Sequence, residues 1–384
     1  MSTRNGVEPA VGTAPALQSV PNSQLADGWW PIAFGDEIGQ HPGAFRIGGH
    51  RLAAYRDGNG VVRAVEDACP HRRLPLSMGR ITEDGYLQCG YHGWCFDGET
   101  GQCTKIPNLA PDERVPRGLK VAVYSTAETV ADVLGWGLRT PALAPPVGPP
   151  TGEEPDAGTT MFHTQTVGRL VFVWIGTQSP SPLDDLSTNA AYAFDQPELS
   201  GQVTIRAPHA ETCDALVWNP GKLLGLGWLI GAGDEVVGPS VHTEDHTVRV
   251  SRQRYALDLP RASTYDTLAK RVVTHIAATD ARTGRTRITV DGSAHLPAAD
   301  LSVALTPIGS YRTVIRWSVA FDRAASALNR SALKVAARAS RLHGAARAEA
   351  VVDATEDAVD AAVDRLRELR RHAPVVPTDQ GDVS

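Results

Sequence analysis

The sequence has few of the features that indicate a secreted or membrane-spanning protein. It has five cysteines in 384 residues, an odd number. Its start shows no charged segment followed by an apolar one, so a secreted disulfide framework is not expected. The most apolar stretch, residues 215–233, is interrupted by Asn219, Pro220 and Lys222, so it lacks the roughly 20 apolar residues that span a bilayer. These absences favour a cytoplasmic protein with no membrane partner.

An excess of charge of one sign is also missing. The chain has 37 Lys and Arg against 43 Asp and Glu, a net charge of -6. No basic field therefore indicates nucleic acid as a partner. Hydrophobic residues make up 42% of the sequence, which is enough to bury a large core in one large or two ordinary domains.

Strand and turn signals dominate the first third of the chain. Residues 1–25 carry Pro, Gly and Ser without an apolar period and predict a disordered arm. Two β-rich segments, FRIGGHRLAAY and VVRAVED, flank Asp57-Gly-Asn-Gly60, residues that tolerate the positive φ of a tight hairpin turn. Residues 26–125 are therefore predicted to form a small all-β domain. The proline-rich residues 126–160 predict an insertion or linker.

A second sheet-bearing domain is predicted over residues 161–372. It would begin with the apolar strand LVFVWIG and continue through further β-rich segments. Towards the C-terminus the composition shifts to Ala, Arg and Glu, which with an interruption near Gly344 indicates helices. These helices either cover the second sheet or present a face to a partner. Residues 373–384 are predicted to be a disordered tail. The apolar residues at helical spacing are Val351, Val352, Val359, Val363, Leu366 and Leu369.

The most informative segment is Cys69-Pro-His71, followed after 17 residues by Cys89-Gly-Tyr-His92. Each half supplies one thiolate and one imidazole, so the four side chains could hold one zinc ion or two bridged irons. Zinc folds usually pair Cys with Cys and His with His at short spacing. A cluster of two irons can take both cysteines on one iron and both histidines on the other. The mixed pairs fit the second arrangement.

This segment resembles the Rieske iron–sulfur proteins, and specifically the Rieske-type non-haem iron oxygenases. The pattern CPHR...LSMG...CGYHGW.FDGETGQC..IP matches from Cys69 to Pro107. The resemblance implies a [2Fe-2S] cluster with Cys69 and Cys89 on one iron and His71 and His92 on the other. Neutral imidazoles raise the reduction potential above that of an all-cysteine cluster, so a ferredoxin or a reductase could reduce it.

The resemblance also bears on the residues near these loops. Respiratory Rieske proteins join their two loops by a disulfide, but Leu74 stands where one cysteine would be needed. Cys95 and Cys103 are therefore expected to be reduced and buried, and Cys213 likewise. Trp94 either shields the cluster from water or is an ordinary core residue.

The family's second site departs from its pattern in this chain. In the oxygenases a mononuclear iron is held by two histidines and a carboxylate, in the local pattern Asp-x2-His-x4-His. Asp214 matches the aspartate that links a neighbouring subunit's Rieske histidine to this iron, but Val217 and Lys222 occupy the histidine positions. Neither side chain offers a lone pair at neutral pH, and Pro220 interrupts the helix between them. Asp357 would be the remaining carboxylate, with Lys222 either paired to Asp214 or Asp357 or solvated.

Other ligands could rebuild the iron site. His209, His242 and His246 lie in the same predicted domain, although VHTEDHTVRV alternates like a strand or turn entry. The remaining candidates, His163, His275 and His295, are expected to be exposed or satisfied strand histidines.

The resemblance implies an α+β fold, with an all-β Rieske [2Fe-2S] domain joined to an antiparallel-sheet domain flanked by helices. It also implies a ring of subunits, trimeric or hexameric. The first functional hypothesis is an oxidoreductase component that accepts electrons, lacks its own mononuclear Fe(II) and acts in a hetero-oligomer with an intact oxygenase homologue. The second is a complete monooxygenase or demethylase of a small organic substrate with relocated iron ligands. The third is a non-catalytic redox sensor or scaffold.

Overall fold

The computed structural model describes residues 25, 28–110, 112–126, 162–167, 170–175, 199–256, 272–291, 298–321 and 344–373. The strands of this part of the chain are β1 Gly28–Phe34, β2 Gly43–Ile47, β3 His50–Arg56, β4 Val62–Glu66, β5 Arg80–Ile81, β6 Leu87–Gln88, β7 Cys95–Phe96, β8 Cys103–Lys105, β9 Val123–Thr126, β10 Phe162–Val167, β11 Leu170–Ile175, β12 Leu199–Ile205, β13 Glu235–Glu244, β14 Thr247–Tyr255, β15 Val272–Asp280, β16 Thr286–Val290, β17 Ala299–Gly309 and β18 Arg312–Phe321. Its α-helices are α1 His209–Trp218, α2 Pro220–Leu223, α3 Gly227–Ile230, α4 Gly344–Glu356 and α5 Ala361–Arg371. Within these ranges, no helix combines the length and apolarity needed to cross a membrane.

The first sheet has seven strands in the order β1-β11-β10-β9-β4-β3-β2. The hairpin predicted at Asp57–Gly60 is confirmed, because Arg56 pairs with Val62 across it. The Asp57 carboxylate closes the turn by accepting from the Asn59 and Val61 N–H groups. The segment FRIGGHRLAAY, predicted as one run, is two strands, β2 and β3. They are separated by a turn in which Gly48 has a φ of 53°, a conformation that glycine adopts at little cost.

A small sheet in the order β5-β6-β7-β8 carries the loops with the Cys and His motifs. It packs against the first sheet through a shared core that includes Tyr55 and Val65 from one side and Leu87 and Phe96 from the other. All four residues are fully buried. The loops between β4 and β5 and between β6 and β7 therefore rise from a well-packed base.

The second sheet has seven antiparallel strands in the order β12-β18-β17-β16-β15-β14-β13. Helices α1, α4 and α5 cover it, since Leu216, Val351 and Leu366 share one buried core with Ile288 and Leu301 of the sheet. The C-terminal helices therefore cover the second sheet, and the predicted α+β fold with two sheet domains is confirmed.

One residue of the predicted apolar stripe breaks the pattern. Val359 is fully exposed, because residues 357–360 form a non-helical link between α4 and α5. Asp360 is the N-cap of α5, because its side chain accepts hydrogen bonds from the Ala362 and Val363 N–H groups. A new helix therefore starts here, and the apolar spacing of α4 does not continue through Val359.

The predicted domain boundaries need correction. The sequence predicts a second domain that starts at residue 161 and includes β10 and β11, but β11 pairs with β1 in the first sheet, where Trp30 lies opposite Val173. Apolar periodicity reports burial and not the partner strand, so the sequence could not place β11. Leu25, placed in the disordered arm, is buried beside Gly48. Residues 1–24, 127–161 and 374–384 lie outside the described part, and with them most of the predicted arm, insertion and tail.

Polar contacts join the two sheet domains at β17 and β18. The Thr306 hydroxyl donates to the Pro31 carbonyl at 2.7 Å, and Arg316 Nη1 donates to Thr306 Oγ1 at 2.9 Å. Arg316 also lies 3.5 Å from the Glu37 carboxylate. Because Arg316 and Thr306 are buried, these contacts fix the first sheet against the second.

Candidate metal centre

Two loops of matching backbone geometry carry the predicted cluster ligands. In each, the cysteine N–H donates to the carbonyl five residues later, and the cysteine carbonyl accepts from the N–H four residues later. The residues at that fourth position, Arg73 and Gly93, have φ values of 56° and 71°. This left-handed conformation turns both loops sharply, so Cys69 and Cys89 begin two similar turns that face each other.

The structure brings the four predicted ligands together as an inner sulfur pair and an outer nitrogen pair. Cys69 and Cys89 are 2% and 3% exposed, and burial raises the pKa of the Cys69 thiol to about 11, with a further rise from neighbouring Cys89. His71 and His92 lie at the surface with their Nδ1 atoms 3.0 Å apart.

The lowered pKa of one histidine and the arrangement of the donors favour metal binding. Loss of solvation lowers the pKa of His71, and electrostatic interactions with His92 and Arg72 lower it further, which favours the neutral imidazole that binds metal. The separation of sulfur from nitrogen donors fits two bridged irons, one held by thiolates and the other by imidazoles. Among the described residues, no three His, Cys, Asp or Glu side chains are grouped so as to hold a single metal ion; the donors of the two loops instead form two pairs.

Aromatic rings cover the two histidines. Trp94 stacks on His71 with ring centroids 4.4 Å apart and an interplanar angle of 1°. Tyr91 packs on His92 with a centroid distance of 3.8 Å. Trp94 also packs against the core beneath the loops, as one of the two alternatives predicts.

Each loop has a polar contact that sequence reasoning missed. The buried Asp67 carboxylate accepts from the Ser77 N–H at 2.7 Å and from the Ser77 hydroxyl at 2.9 Å. On the other loop Gln88 Nε2 donates to the Gly93 carbonyl at 3.3 Å, and Arg80 donates to Gln88 Oε1 at 2.7 Å. No sequence pattern indicates these contacts, because the partner groups come together only in the folded loops.

The three remaining cysteines behave as predicted. Cys95, Cys103 and Cys213 are free and buried. Burial raises the pKa of Cys213 to about 12, so it is a neutral thiol at physiological pH. Cys95 and Cys103 belong to the core beneath the cluster loops.

The residues predicted for the second metal site differ in their burial. Helix α1 ends at Trp218, as Pro220 predicted, and Asn219 caps the short helix α2. Val217 is 1% exposed and belongs to the core of the second domain. Lys222 is exposed on α2, and Asp357 is exposed after α4. Lys222 is thus a surface lysine, one of the two alternatives left open.

Asp214 has a different set of partners from those predicted. Its carboxylate accepts from Arg367 Nε and from Arg370 Nη2, both at 2.7 Å. The Asp214 side chain is 7% exposed, against 37% for Arg367 and 21% for Arg370. Both arginines lie on α5, so this ion pair joins α1 to α5. Their spacing of three residues, which puts two cations on one helix face, is the signal in the sequence that could have indicated them.

The alternative histidine ligands are exposed or have other partners. His209 on α1 donates from Nε2 to the Thr283 carbonyl at 2.9 Å, and burial lowers its pKa to about 4. His242 is exposed on β13, and His246 is exposed in the turn before β14, as the alternating pattern predicted. His275 is a buried strand residue bonded to the Ile230 carbonyl. The side chain of His163 and all of His295 lie outside the described residues.

Buried ions also hold the helices next to Asp214. Arg252, on β14, pairs with Glu235 and donates to Asp360 at 2.8 Å. Arg254 donates to the Trp218 carbonyl at 2.9 Å. The ends of α1 and α5 are therefore attached to the sheet by arginines, in addition to the Asp214 contact.

The comparisons with known proteins agree with this geometry. The family model of the Rieske [2Fe-2S] domain matches residues 28–125. Pheophorbide a oxygenase of Oryza sativa subsp. japonica is 36% identical over 159 residues, 38% of this chain and 29% of the relative. The oxygenase component of dicamba O-demethylase from Stenotrophomonas maltophilia is 39% identical over 134 residues, 35% of this chain and 37% of the relative. The chain thus matches only about a third of the length of these curated relatives.

The fold extends further than the sequence similarity. The crystal structure of dicamba monooxygenase superposes with a TM-score of 0.59 at 16% identity, over 91% of this chain and 96% of that one. A Rieske domain binds a [2Fe-2S] cluster, which is therefore the cofactor of this chain. The chain contains a Rieske [2Fe-2S] domain and has the fold of the Rieske non-haem iron oxygenases, the family of its relatives.

Proposed function

We propose that this chain is an electron-transfer component of a Rieske oxygenase system that does not bind its own mononuclear iron. The observation that carries the proposal is the pairing of Asp214 with Arg367 and Arg370 at 2.7 Å. Two guanidinium cations already compensate this carboxylate, and a further cation beside them would be repelled. Val217, buried in the core, and Lys222, exposed to solvent, offer no metal ligand in place of the usual histidines.

In this proposal Cys69 and Cys89 hold one iron of the cluster and His71 and His92 hold the other. When bound, the cluster supplies reversible one-electron storage. The buried cysteines keep the sulfur side away from water, and the histidines give the nitrogen side an exposed edge. Trp94 limits the access of water to His71 by stacking on it.

We further propose that the electrons leave for a second subunit, an oxygenase homologue with Asp-x2-His-x4-His intact. The partner would supply the oxygen-activating iron, and the two chains would form a trimeric or hexameric hetero-oligomer. A ferredoxin or a reductase would supply the electrons. The cytoplasm is the proposed location, although pheophorbide a oxygenase, the relative described above, is a chloroplast protein.

The test is a complementation assay with an intact Rieske oxygenase subunit from the same organism. That subunit is prepared with a Rieske histidine replaced, so that it keeps its mononuclear iron but has no cluster. Adding this chain should restore product formation, and adding its His92→Ala variant should not. Product formation by this chain alone would contradict the proposal and favour a complete oxygenase. Rapid reduction of the cluster without product in any mixture would favour a redox sensor.

A further inference from the structure

We infer that Asp67 sets the reduction potential of the cluster by placing a buried negative charge beside the first cluster loop. It acts through the electric field of its carboxylate and not as an iron ligand. The inference rests on the ligand assignment of the proposed function and goes beyond it, because it gives a residue outside the four ligands control over how readily the cluster releases an electron.

Asp67 lies at the base of the first cluster loop. It directly follows β4 and precedes Cys69 by two residues, so the Cα atoms of the two residues are at most about 7 Å apart. Its carboxylate accepts from the Ser77 N–H at 2.7 Å and from the Ser77 hydroxyl at 2.9 Å. Its own N–H donates to the Arg51 carbonyl at 2.9 Å. These bonds join the two ends of the loop and fix the position of the carboxylate.

Asp67 differs from the other charged residues of the two loops in its burial. Its exposed fraction is 2%, whereas Arg72 and Arg73 of the same loop are exposed. The other loop, Cys89 to Cys95, contains no Asp, Glu, Lys or Arg. Water and salt screen an exposed charge much more than a buried one. Among the charged side chains of the two loops, Asp67 therefore has the strongest effect on the cluster.

Arg51 compensates the charge of Asp67 only in part. Its Nη2 atom lies 3.8 Å from Asp67 Oδ2, which is too far for a hydrogen bond. The Arg51 side chain is 50% exposed, against 3% for Asp67, and an ion pair with an exposed partner is weakened by solvent. A net negative charge therefore remains at the base of the loop.

The second cluster loop is closed by a neutral side chain in a similar place. Gln88 precedes Cys89 and donates from Nε2 to the Gly93 carbonyl at 3.3 Å. Because a neutral amide closes this loop, a carboxylate is not required for loop closure as such. The difference indicates that the charge of Asp67 has an effect beyond that of its hydrogen bonds.

The effect of this charge on the cluster has a definite sign. Reduction adds one electron to the cluster, and a nearby negative charge disfavours the reduced state. The two imidazoles raise the reduction potential above that of an all-cysteine cluster, and Asp67 lowers it from that value. A lower potential makes the reduced cluster a stronger reductant. In the proposed function, this increases the driving force for passing the electron to the partner subunit.

The test is a redox titration of the full holo chain with dithionite and mediators, followed by the Rieske absorption bands. Asp67→Asn keeps an acceptor oxygen for the Ser77 N–H but removes the charge. At a fixed solution potential, the ratio of reduced to oxidised cluster should rise roughly tenfold, a shift of about 59 mV for a one-electron couple. Ser77→Ala weakens the same contact without removing the charge, so it should not raise the potential.

Asp57 provides a matched control. Its carboxylate accepts from two backbone N–H groups and pairs with Arg63 at 2.9 Å. It lies before β4 and not after it, so the five residues of this strand place it about 16 Å from Asp67. Asp57→Asn should change the ratio of reduced to oxidised cluster by less than about twofold.

Arg51→Gln tests the opposite sign at an exposed position. Loss of the partial compensation should lower the ratio of reduced to oxidised cluster roughly twofold, a smaller effect because solvent screens this arginine. If Asp67→Asn assembles no cluster, this variant decides the question. A lower potential supports the inference, and an unchanged potential overturns it.

Two further results would overturn the inference. They are an unchanged potential in Asp67→Asn, and an equal rise of the potential in Ser77→Ala or Asp57→Asn. Either result would leave Asp67 as a residue that only holds the loop. The proposed function fails in a different way, through product formation by the isolated chain or binding of a third iron, whatever the potential of its cluster.

Discussion

The cluster loops and the contact between α1 and α5 both contain buried acidic groups, but they differ in what compensates the negative charge. In the loops, two buried thiols lie beside two facing imidazoles, and a bound metal would compensate the negative charge of the cysteines once they are deprotonated. Between α1 and α5, the buried carboxylate of Asp214 is compensated by two arginines of the protein itself. A bound metal would thus balance the charge of the first site, whereas cations of the protein itself balance the charge of Asp214.

The same contrast appears in what holds each region in place. The cluster loops are short turns above small strands, and their outer residues are exposed. The helices of the second domain are attached to the sheet by Arg252 and Arg254 as well as by Asp214. We therefore expect loss of metal to affect the cluster loops far more than the second domain.

The largest expected effect is the loss of a cluster ligand. His92→Ala removes one of the two facing Nδ1 donors, so the Rieske absorption bands and the cluster EPR signal should disappear. The control is His246→Ala, which changes an exposed histidine in the turn before β14 and should leave both signals intact. A wild-type spectrum in the His92 variant would refute the ligand assignment.

The next largest effect is expected from loss of the Asp214 ion pair between α1 and α5. Asp214→Asn leaves Arg367 and Arg370 without their carboxylate and should lower the free energy of unfolding of the second domain by about 2 kcal/mol. Urea unfolding followed by tryptophan fluorescence measures this change, and the cluster spectrum should not alter. Arg365→Gln on the same helix breaks an exposed pair with Glu368 and a hydrogen bond to Thr243 Oγ1, and it should cost about 1 kcal/mol or less. Equal stabilities of the two variants would show that the Asp214 contact does not hold α1 to α5.

The pH dependence of the second domain should come partly from His275. Burial lowers the pKa of this histidine from 6.5 to about 3, so below pH 6.5 the unfolded chain binds a proton that the folded chain does not. Stability should therefore fall as the pH falls from about 6.5 towards 3, with a contribution of about 2 kcal/mol between pH 8 and pH 5. His275→Gln should remove that part of the pH dependence, whatever its effect at pH 8. An identical pH slope in urea unfolding of both proteins would contradict this.

The smallest expected effect is on the lifetime of the cluster. Trp94→Leu removes the ring stacked on His71, so water and chelators should reach the iron more easily. The absorption bands should decay a few times faster in the presence of a chelator, while Trp94→Phe should stay close to wild type. Equal decay in all three proteins would mean that Trp94 acts only through its packing in the core.

The sequence was sufficient for the parts of the molecule that depend on local spacing. The Cys and His motifs predicted two paired loops, Asp57–Gly60 predicted a hairpin and Pro220 predicted the end of α1. Each of these features is determined by residues that are close together along the chain, where turn chemistry and ligand spacing act directly.

The remaining features depend on contacts between distant residues. Apolar periodicity could not show that β11 pairs with β1 in the first sheet. Nothing local linked Asp214 to Arg367 and Arg370, which follow it by 153 and 156 residues. Partners of this kind are chosen by the folded backbone, so they are visible only in the structure.

The most direct test of the central claim is the iron and acid-labile sulfide content of the purified chain. We expect two irons and two sulfides per chain, with no further iron retained after incubation with Fe(II) and removal of the excess. A third iron bound by the wild-type chain, lost in an Asp214→Asn or Asp357→Asn variant, would contradict the account of the second domain. Zinc in place of iron and sulfide would contradict the account of the first.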